Sequence, residues 1–340
     1  MTAGDALTFI QTIASRFPRA GLIGVRTPFH RLNRLSSDFG KDIWIKRDDF
    51  GDFALAGSKA RKLDLILANV IKKGYTRVVG SGPPTSNSCR ALAAACSCLG
   101  LECHLFLWGQ KPAIQTGNAA LSAVLGAHVH WVGNMPWGEK EKIALEFAKA
   151  TDAYPLSPGG TEPLGVAAMV HAAFEMFSQC EKHALSPSAI IHASATGGIS
   201  AGLRIGAAIW AQAKGDRPAD VYSIAALNDI YAGDMPGTYE HIAADAQSFL
   251  QFSACVPLHL DFNYIGGGYT SISASVKAAC MRFAASEAIV LDGHYMGRAA
   301  AALISIVSDP LVKGPMVFWH SGGTQGLIEQ SMTSELWSGA

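Results

Sequence analysis

The chain has 340 residues, more than one small core needs, so its length implies two subdomains or one large α/β unit. It is 49% apolar and only 16% charged, with a mean hydropathy of +0.20, which points to an extensive core or a buried interface between copies. The 27 basic and 27 acidic residues cancel without any like-charge block, so neither nucleic acid nor a membrane surface is expected as a partner.

From residue 42 onward, short β-rich runs alternate with amphipathic ones. IWIKR (43–47) reads as a strand and 58–73 as a helix; RVVGSG (77–82) is a strand and 86–99 a helix. ECHLFLW (102–108), helix 117–125, HVHWV (128–132) and helix 138–150 continue the pattern. A longer helix is expected from about 163 to 182, then the strand AIIHAS (189–194) with a helix after it, the strand VYSIAAL (221–227) and the late strand PMVFWHS (315–321). Apolar strands of this length separated by helices predict parallel sheets covered on both faces. Pro155, Pro158, Gly159, Gly160 and Pro163 cluster between two helical runs and suggest a crossing between subdomains. No run reaches the roughly 18 apolar residues of a spanning helix. The first twenty residues lack a basic stretch followed by an apolar one, so no signal peptide is expected. The seven cysteines form no CxxC or zinc spacing, which predicts a reducing cytoplasm, no disulfides and no metal site.

Two stretches carry chemistry. In LAGSKARKLDLIL (55–67) the stripe Leu63, Ile66, Leu67, Val70 and Ile71 extends back to Lys59 at the start of the helix. The ordinary reading is a lysine that snorkels to solvent. Against it, the helix macrodipole and burial both disfavour a cation there and lower the amine's pKa. A lysine neutral near pH 7 is a nucleophile for carbonyl groups and a usable base. In SATGGISAG (194–202), Thr196, Gly197, Gly198, Ile199 and Ser200 follow a strand and open a helix, where backbone N–H groups and two hydroxyls can hold one phosphate. An ordinary strand-to-helix turn reads equally well. The spacing is neither a Walker A loop nor GxGxxG. A carbonyl-binding lysine and a phosphate cup with no lysine in it together suggest pyridoxal 5'-phosphate (PLP).

The segment GSKARKL resembles the GNKxRKLE segment of the family containing 1-aminocyclopropane-1-carboxylate (ACC) deaminase and D-cysteine desulfhydrase. The likeness runs from about residue 26 to 328, through TPFHRL, IWIKRDD, GPPTSNSCRALAAACSCLGL, GNAALSAVLGAHV, YPLSPGGTEPLGVAA, YIGGGY, LDGHYMGRA and WHSGGTQGL, in one order. It implies a tryptophan-synthase-β-like fold (fold type II): two three-layer αβα subdomains with mostly parallel sheets. The larger would comprise 1–61 and 169–340, the smaller 62–168. It implies a homodimer, a small amino-acid substrate and a Lys59 Schiff base with PLP. Asn87 would bond the cofactor's phenolic oxygen. Ser86, with the backbone at Asn87 and Ser88, would hold the substrate carboxylate, and Thr196 to Ser200 the phosphate. Tyr269 and Tyr295 match the family's two tyrosines near the substrate; alone, each reads more simply as a core residue with a bonded hydroxyl.

The departures are informative. GNK is GSK here, and Pro83-Pro84-Thr85 stiffens the run before Ser86. Where ACC deaminases carry a glutamate for the pyridine nitrogen, this chain has Met296, which leaves Ser321 of His320-Ser321-Gly322-Gly323 as the partner. A hydroxyl there leaves the ring largely neutral and favours reactions that expel a leaving group promptly. The expected activity is therefore a PLP-dependent lyase performing α,β-elimination. The alternatives are a β-replacement synthase or specialised biosynthetic enzyme, an ACC deaminase, and a binding protein without turnover. His128 and His130 share a strand face, but no carboxylate or cysteine at metal spacing accompanies them in sequence, so they read as surface or packed residues. Asp48 and Asp49 are expected to pair with nearby basic residues, and Trp108, Trp131, Trp137 and Trp319 to sit in the core or an interface.

Overall fold

The computed structural model describes residues 2–228, 233–268, 271–310 and 312–328. Its strands are β1 (Phe29–Arg31), β2 (Ile43–Arg47), β3 (Arg77–Gly82), β4 (Glu102–Leu107), β5 (His128–Trp131), β6 (Tyr154–Pro155), β7 (Ala189–Ser194), β8 (Asp220–Ala225), β9 (His259–Asp261) and β10 (Met316–His320). Its helices are α1 (Ala3–Arg16), α2 (Asn33–Phe39), α3 (Ser58–Lys72), α4 (Asn87–Leu99), α5 (Gly117–Val124), α6 (Trp137–Ala150), α7 (Pro163–Lys182), α8 (Gly198–Lys214), α9 (Met235–Leu250), α10 (Ala274–Glu287) and α11 (Met296–Ser308). The strands form a six-stranded sheet, β1-β2-β10-β7-β8-β9, and a four-stranded sheet, β5-β4-β3-β6. All pairings are parallel except that of β1 with β2.

Side-chain alternation explains why both sheets are three layers thick. In β7 and β10, Ala189, Ile191, Met316 and Phe318 face α10 and α11, whereas Ile190, Val317 and Trp319 face α7 and α8. In the smaller sheet, Val78, Cys103 and Leu105 face α3, α4 and α5, while Val79 and Phe106 pack on α6. This is the fold class expected, and the strands and helices of the chain-order reading lie within about two residues of their expected limits. The expected limits of the smaller unit, 62 and 168, fall inside the continuous helices α3 and α7.

A buried polar cluster ties β2 to α3 and α7. Arg61 donates to both oxygens of Asp48 at 3.1 Å and to Glu175 at 2.9 Å, and Ser58 donates to Asp48 at 2.7 Å. Lys46 Nζ lies 2.5 Å from Glu175. Asp49 pairs instead with Arg47 at 2.6 Å, so both aspartates have the structural roles expected of them. Burial pushes the Glu175 carboxyl up, but bonds and charge from Arg61 and Lys46 outweigh it and hold the group at about 2. All seven cysteines are free. No helix among the described residues is long and apolar enough to cross a membrane.

Candidate active site

A cavity of about 520 Å³ opens where β3, α4 and the loops after β7 and β10 converge. This is within the size range of small-molecule sites. The start of α3 forms its floor. Gly57 has φ +58°, which glycine adopts without strain, and a Cβ there would stand 2.1 Å from the Ser321 carbonyl oxygen. The Ser58 amide donates to that same oxygen at 3.0 Å. Backbone against backbone, this contact fixes α3 beside the turn after β10.

Lys59 is the first lysine of α3 and lines the cavity. It lies deep in the protein with only part of its side chain open to the cavity, and burial lowers its amine to about 8. No hydrogen bond or ion pair engages it among the described residues. The expectation of a depressed lysine at the helix start therefore matches its environment. Burial is the cause found; the helix dipole was expected to add to it.

Lys62, three residues later and so on the same side of the helix, is 1% exposed. Its Nζ donates to the Gly159 carbonyl at 3.2 Å and lies 2.7 Å from where a Cβ on Gly198 would stand. It has no carboxylate within 4 Å among the described residues. Burial, reinforced by Lys59, lowers its pKa well below 10.5. Gly198 begins α8, and the first intrahelical bond there is donated by the Ala201 amide to the Gly197 carbonyl, so the amides of Gly198, Ile199 and Ser200 have no intrahelical partner. A buried ammonium beside the positive end of a helix is costly unless an anion joins them. The cup expected to lack a lysine thus contains one. Nothing in sequence distinguished Lys62 from a solvated helix residue.

The remaining expected residues are placed as follows. Thr196 lines the cavity and its hydroxyl accepts from Thr161 at 2.7 Å. Gly197 takes φ +83° as the cap of α8. Ser200 is fully buried and its hydroxyl accepts from Ser223 at 2.7 Å, so its amide faces the cup more freely than its side chain. Ser86 caps α4, accepting from the Cys89 amide at 3.1 Å, and lines the cavity with Asn87, Ser88 and Pro83. Asn87 is oriented by Asn118, which donates to it at 3.0 Å and accepts from Arg90 at 3.0 Å. Tyr295 lines the opposite wall. Tyr269 lies outside the described residues.

Ser321 also lines the cavity, and its hydroxyl points at the Met296 sulfur, 3.4 Å away. The two side chains weighed as ring-nitrogen partners therefore meet at one point, and neither is a carboxylate. The nearby Asp292 is saturated by amides of His294, Tyr295 and Met296 at 3.0, 2.7 and 3.1 Å. Burial raises it to about 6 against those bonds. It fastens the turn that leads into α11.

Two tryptophans depart from expectation. Trp319 is in the core, but Trp108 and Trp137 line the cavity mouth, edge to face at 4.4 Å, with the Lys140 ammonium 4.7 Å from the Trp108 ring centre. Trp108 directly follows β4, at the carboxyl end of a parallel strand, where open α/β sheets place their ligands.

The family model described as "Pyridoxal-phosphate dependent enzyme" matches residues 22–322. The chain belongs to the family of pyridoxal-phosphate-dependent enzymes. D-cysteine desulfhydrase of Klebsiella pneumoniae (strain 342) is 31% identical over 92% of this chain and 96% of its own length. The protein of that name from Salmonella newport (strain SL254) is 29% identical over the same shares. A crystal structure of an ACC deaminase homologue superposes with a TM-score of 0.86 at 28% identity, covering 97% of this chain and 98% of that one. Threonine deaminase isoform 2 from Solanum lycopersicum, at a TM-score of 0.72 and 15% identity, shares the fold. The enzyme's cavity fits the cofactor of its family. Lys59 would offer its amine to the cofactor's aldehyde, and Lys62 with the unpaired amides opening α8 would meet its phosphate.

Proposed function

We propose that the enzyme is a lyase that removes a leaving group from Cβ of a small amino acid, with D-cysteine or a β-chloro-alanine as substrate. The observation that carries this reading is the pairing of Ser321 with Met296 at the cavity wall, with no carboxylate among the described residues that line the cavity and the nearby Asp292 engaged by amides. Bound PLP supplies an electron sink for charge that develops at the substrate Cα. A ring without an acidic partner is a weaker sink. ACC ring opening leans on that sink for the electrons of the broken bond, whereas a thiolate or chloride carries its own away.

Lys59 would hold the cofactor and remove the substrate's Cα proton; an amine near 8 is partly neutral at working pH. Ser86 and the amides opening α4 hold the substrate carboxylate, and Asn87, steadied by Asn118 and Arg90, orients the cofactor ring. Thr196, Gly197, Gly198, Ile199 and Ser200, joined by Lys62, hold the phosphate. Tyr295, with Tyr269, positions the substrate or protonates the departing group. For D-cysteine the balanced outcome is D-cysteine plus water giving pyruvate, ammonia and hydrogen sulfide. The D configuration rests on the relatives' name. We also propose that residues 62–168 form the smaller subdomain, that the enzyme is a cytoplasmic homodimer, and that its apolar composition reflects the dimer interface.

Initial rates on D-cysteine, L-cysteine, β-chloro-D-alanine and ACC test the proposal. Elimination from a β-substituted D-amino acid, with ACC slower by tenfold or more, is expected. ACC turned over faster than every β-substituted alanine refutes the electronic argument. The wide mouth formed by Met135, Trp108, Trp137 and Lys140 favours a second reading, a specialised substrate with an apolar body. A cofactor-loaded enzyme inert on all four compounds supports that second reading.

A further inference from the structure

β5 is the edge strand of the smaller sheet, and its register on β4 sets His128 opposite His104 and His130 opposite Phe106. Glu102 lies two residues before His104, so the side chains of Glu102 and His104 leave the same face of the sheet. Sequence spacing shows no carboxylate with His128, because the carboxylate near it comes from a neighbouring strand, through a register that sequence does not display. Glu102 Oε1 is 2.9 Å from His104 Nε2 and 3.9 Å from His128 Nε2. The three donor atoms all lie within 4.8 Å of one another.

We infer that Glu102, His104 and His128 form a binding site for a divalent transition cation of the zinc class, separate from the active-site cavity. Zinc bonds of about 2.0–2.2 Å in tetrahedral geometry require donor separations of about 3.3 Å, and the observed 2.9 and 3.9 Å fall on either side of that value. The His128 side chain is 59% exposed and rests on the His104 ring, so closing the 3.9 Å gap to Glu102 requires it to turn, whereas His104 is held. The atom of each anchored ligand that faces away from the site is occupied. His104 Nδ1 bonds His130 Nε2 at 3.1 Å, and Glu102 Oε2 accepts from Arg77 at 2.6 Å. Bonds of this kind fix ring orientation and donor direction in metal sites. Phe147 of α6 packs on the His104 ring at 4.7 Å and closes the inner side, leaving the fourth position toward solvent for water. Two imidazoles and one carboxylate suit zinc, nickel or copper; magnesium and calcium require more oxygen donors. None of the three residues lines the cavity, so the ion acts by pinning the edge strand to β4.

The ordinary alternative is a carboxylate paired with a stack of histidine rings, whose centres lie 4.8 and 5.4 Å apart. Titration of the PLP-loaded enzyme with zinc sulfate by calorimetry separates the two. One equivalent bound with micromolar affinity is expected, with nickel also binding and magnesium not. His128→Ala and Glu102→Gln should each weaken binding at least tenfold. Cys98→Ser, which removes the exposed thiol, should leave it unchanged. Saturating zinc should raise the Tm of wild type by about 4 °C and that of His128→Ala not at all. No saturable zinc binding to wild type, or binding that survives both ligand substitutions, overturns the inference.

Discussion

Lys62→Met makes the most discriminating test of the cofactor site, because it should move two quantities in opposite directions. Lys62 is 1% exposed, has no carboxylate within 4 Å among the described residues, and donates only to the Gly159 carbonyl at 3.2 Å. Methionine fills nearly the same volume without the amine. A hydrogen bond to a charged group contributes about 1.5–3 kcal/mol, so its loss should weaken PLP binding about 10- to 150-fold. In the apo-enzyme the same substitution removes a buried amine that needs an anion, and unfolding free energy should rise by about 1 kcal/mol or more. Cofactor affinity is read from absorbance on titrating apo-enzyme with PLP, and stability from urea denaturation of the apo-enzyme. The linkage has a definite sign. Because the folded pKa lies below 10.5, the unfolded chain holds this proton over a range where the native protein does not. Stability from this group is therefore complete above 10.5 and lost as pH falls through the depressed native value. The variant should lack that component of the pH slope. A variant that is less stable as apo-enzyme yet binds PLP as wild type does would refute the assignment of Lys62 to the phosphate.

Two further outcomes follow from the site and its support. Ser321→Ala should weaken PLP binding or lower turnover severalfold and Met296→Leu should be mild, measured by PLP titration and initial rates; the reverse order would overturn the ring-nitrogen assignment. Glu175→Gln leaves Lys46 and Arg61 without their shared carboxylate and should cost about 3–5 kcal/mol at pH 7 by denaturant unfolding. Because the Glu175 carboxyl is held at about 2, its contribution is full above about 4.5 and lost as pH falls toward 2. Wild type and variant should therefore converge in acid.

The sequence disclosed whatever is written into local period or local chemistry. Strands such as Ala189–Ser194 are continuous apolar runs, and the stripe of α3 leads straight to Lys59. It concealed the short strands β6 and β9, of two and three residues, which offer no run to read. The fully apolar turns of α11, Ala299 to Leu303, lack a polar face that would mark a helix boundary. Within the site, Lys62 was hidden because its significance lies in the start of α8, 136 positions further along the chain by its numbering (198 less 62). Trp108 and Trp137 were hidden for a related reason: a tryptophan after a strand looks the same in sequence whether it fills a core or a cavity mouth. His104 and His128 needed the register of two strands that no single segment contains.

The contact between Gly57 and the Ser321 carbonyl separates position from chemistry. It is made by main-chain atoms on both sides, so it constrains what residue 57 can be but leaves the side chain at 321 free to vary. Exchange at 321, or at its neighbour 296, therefore alters the proposed ring-nitrogen environment while the start of the lysine-bearing helix stays anchored. A scaffold of this kind permits the electron demand of its chemistry to be retuned by single substitutions. A library confined to positions 296 and 321 is thus the shortest route for moving this enzyme between elimination and ring opening.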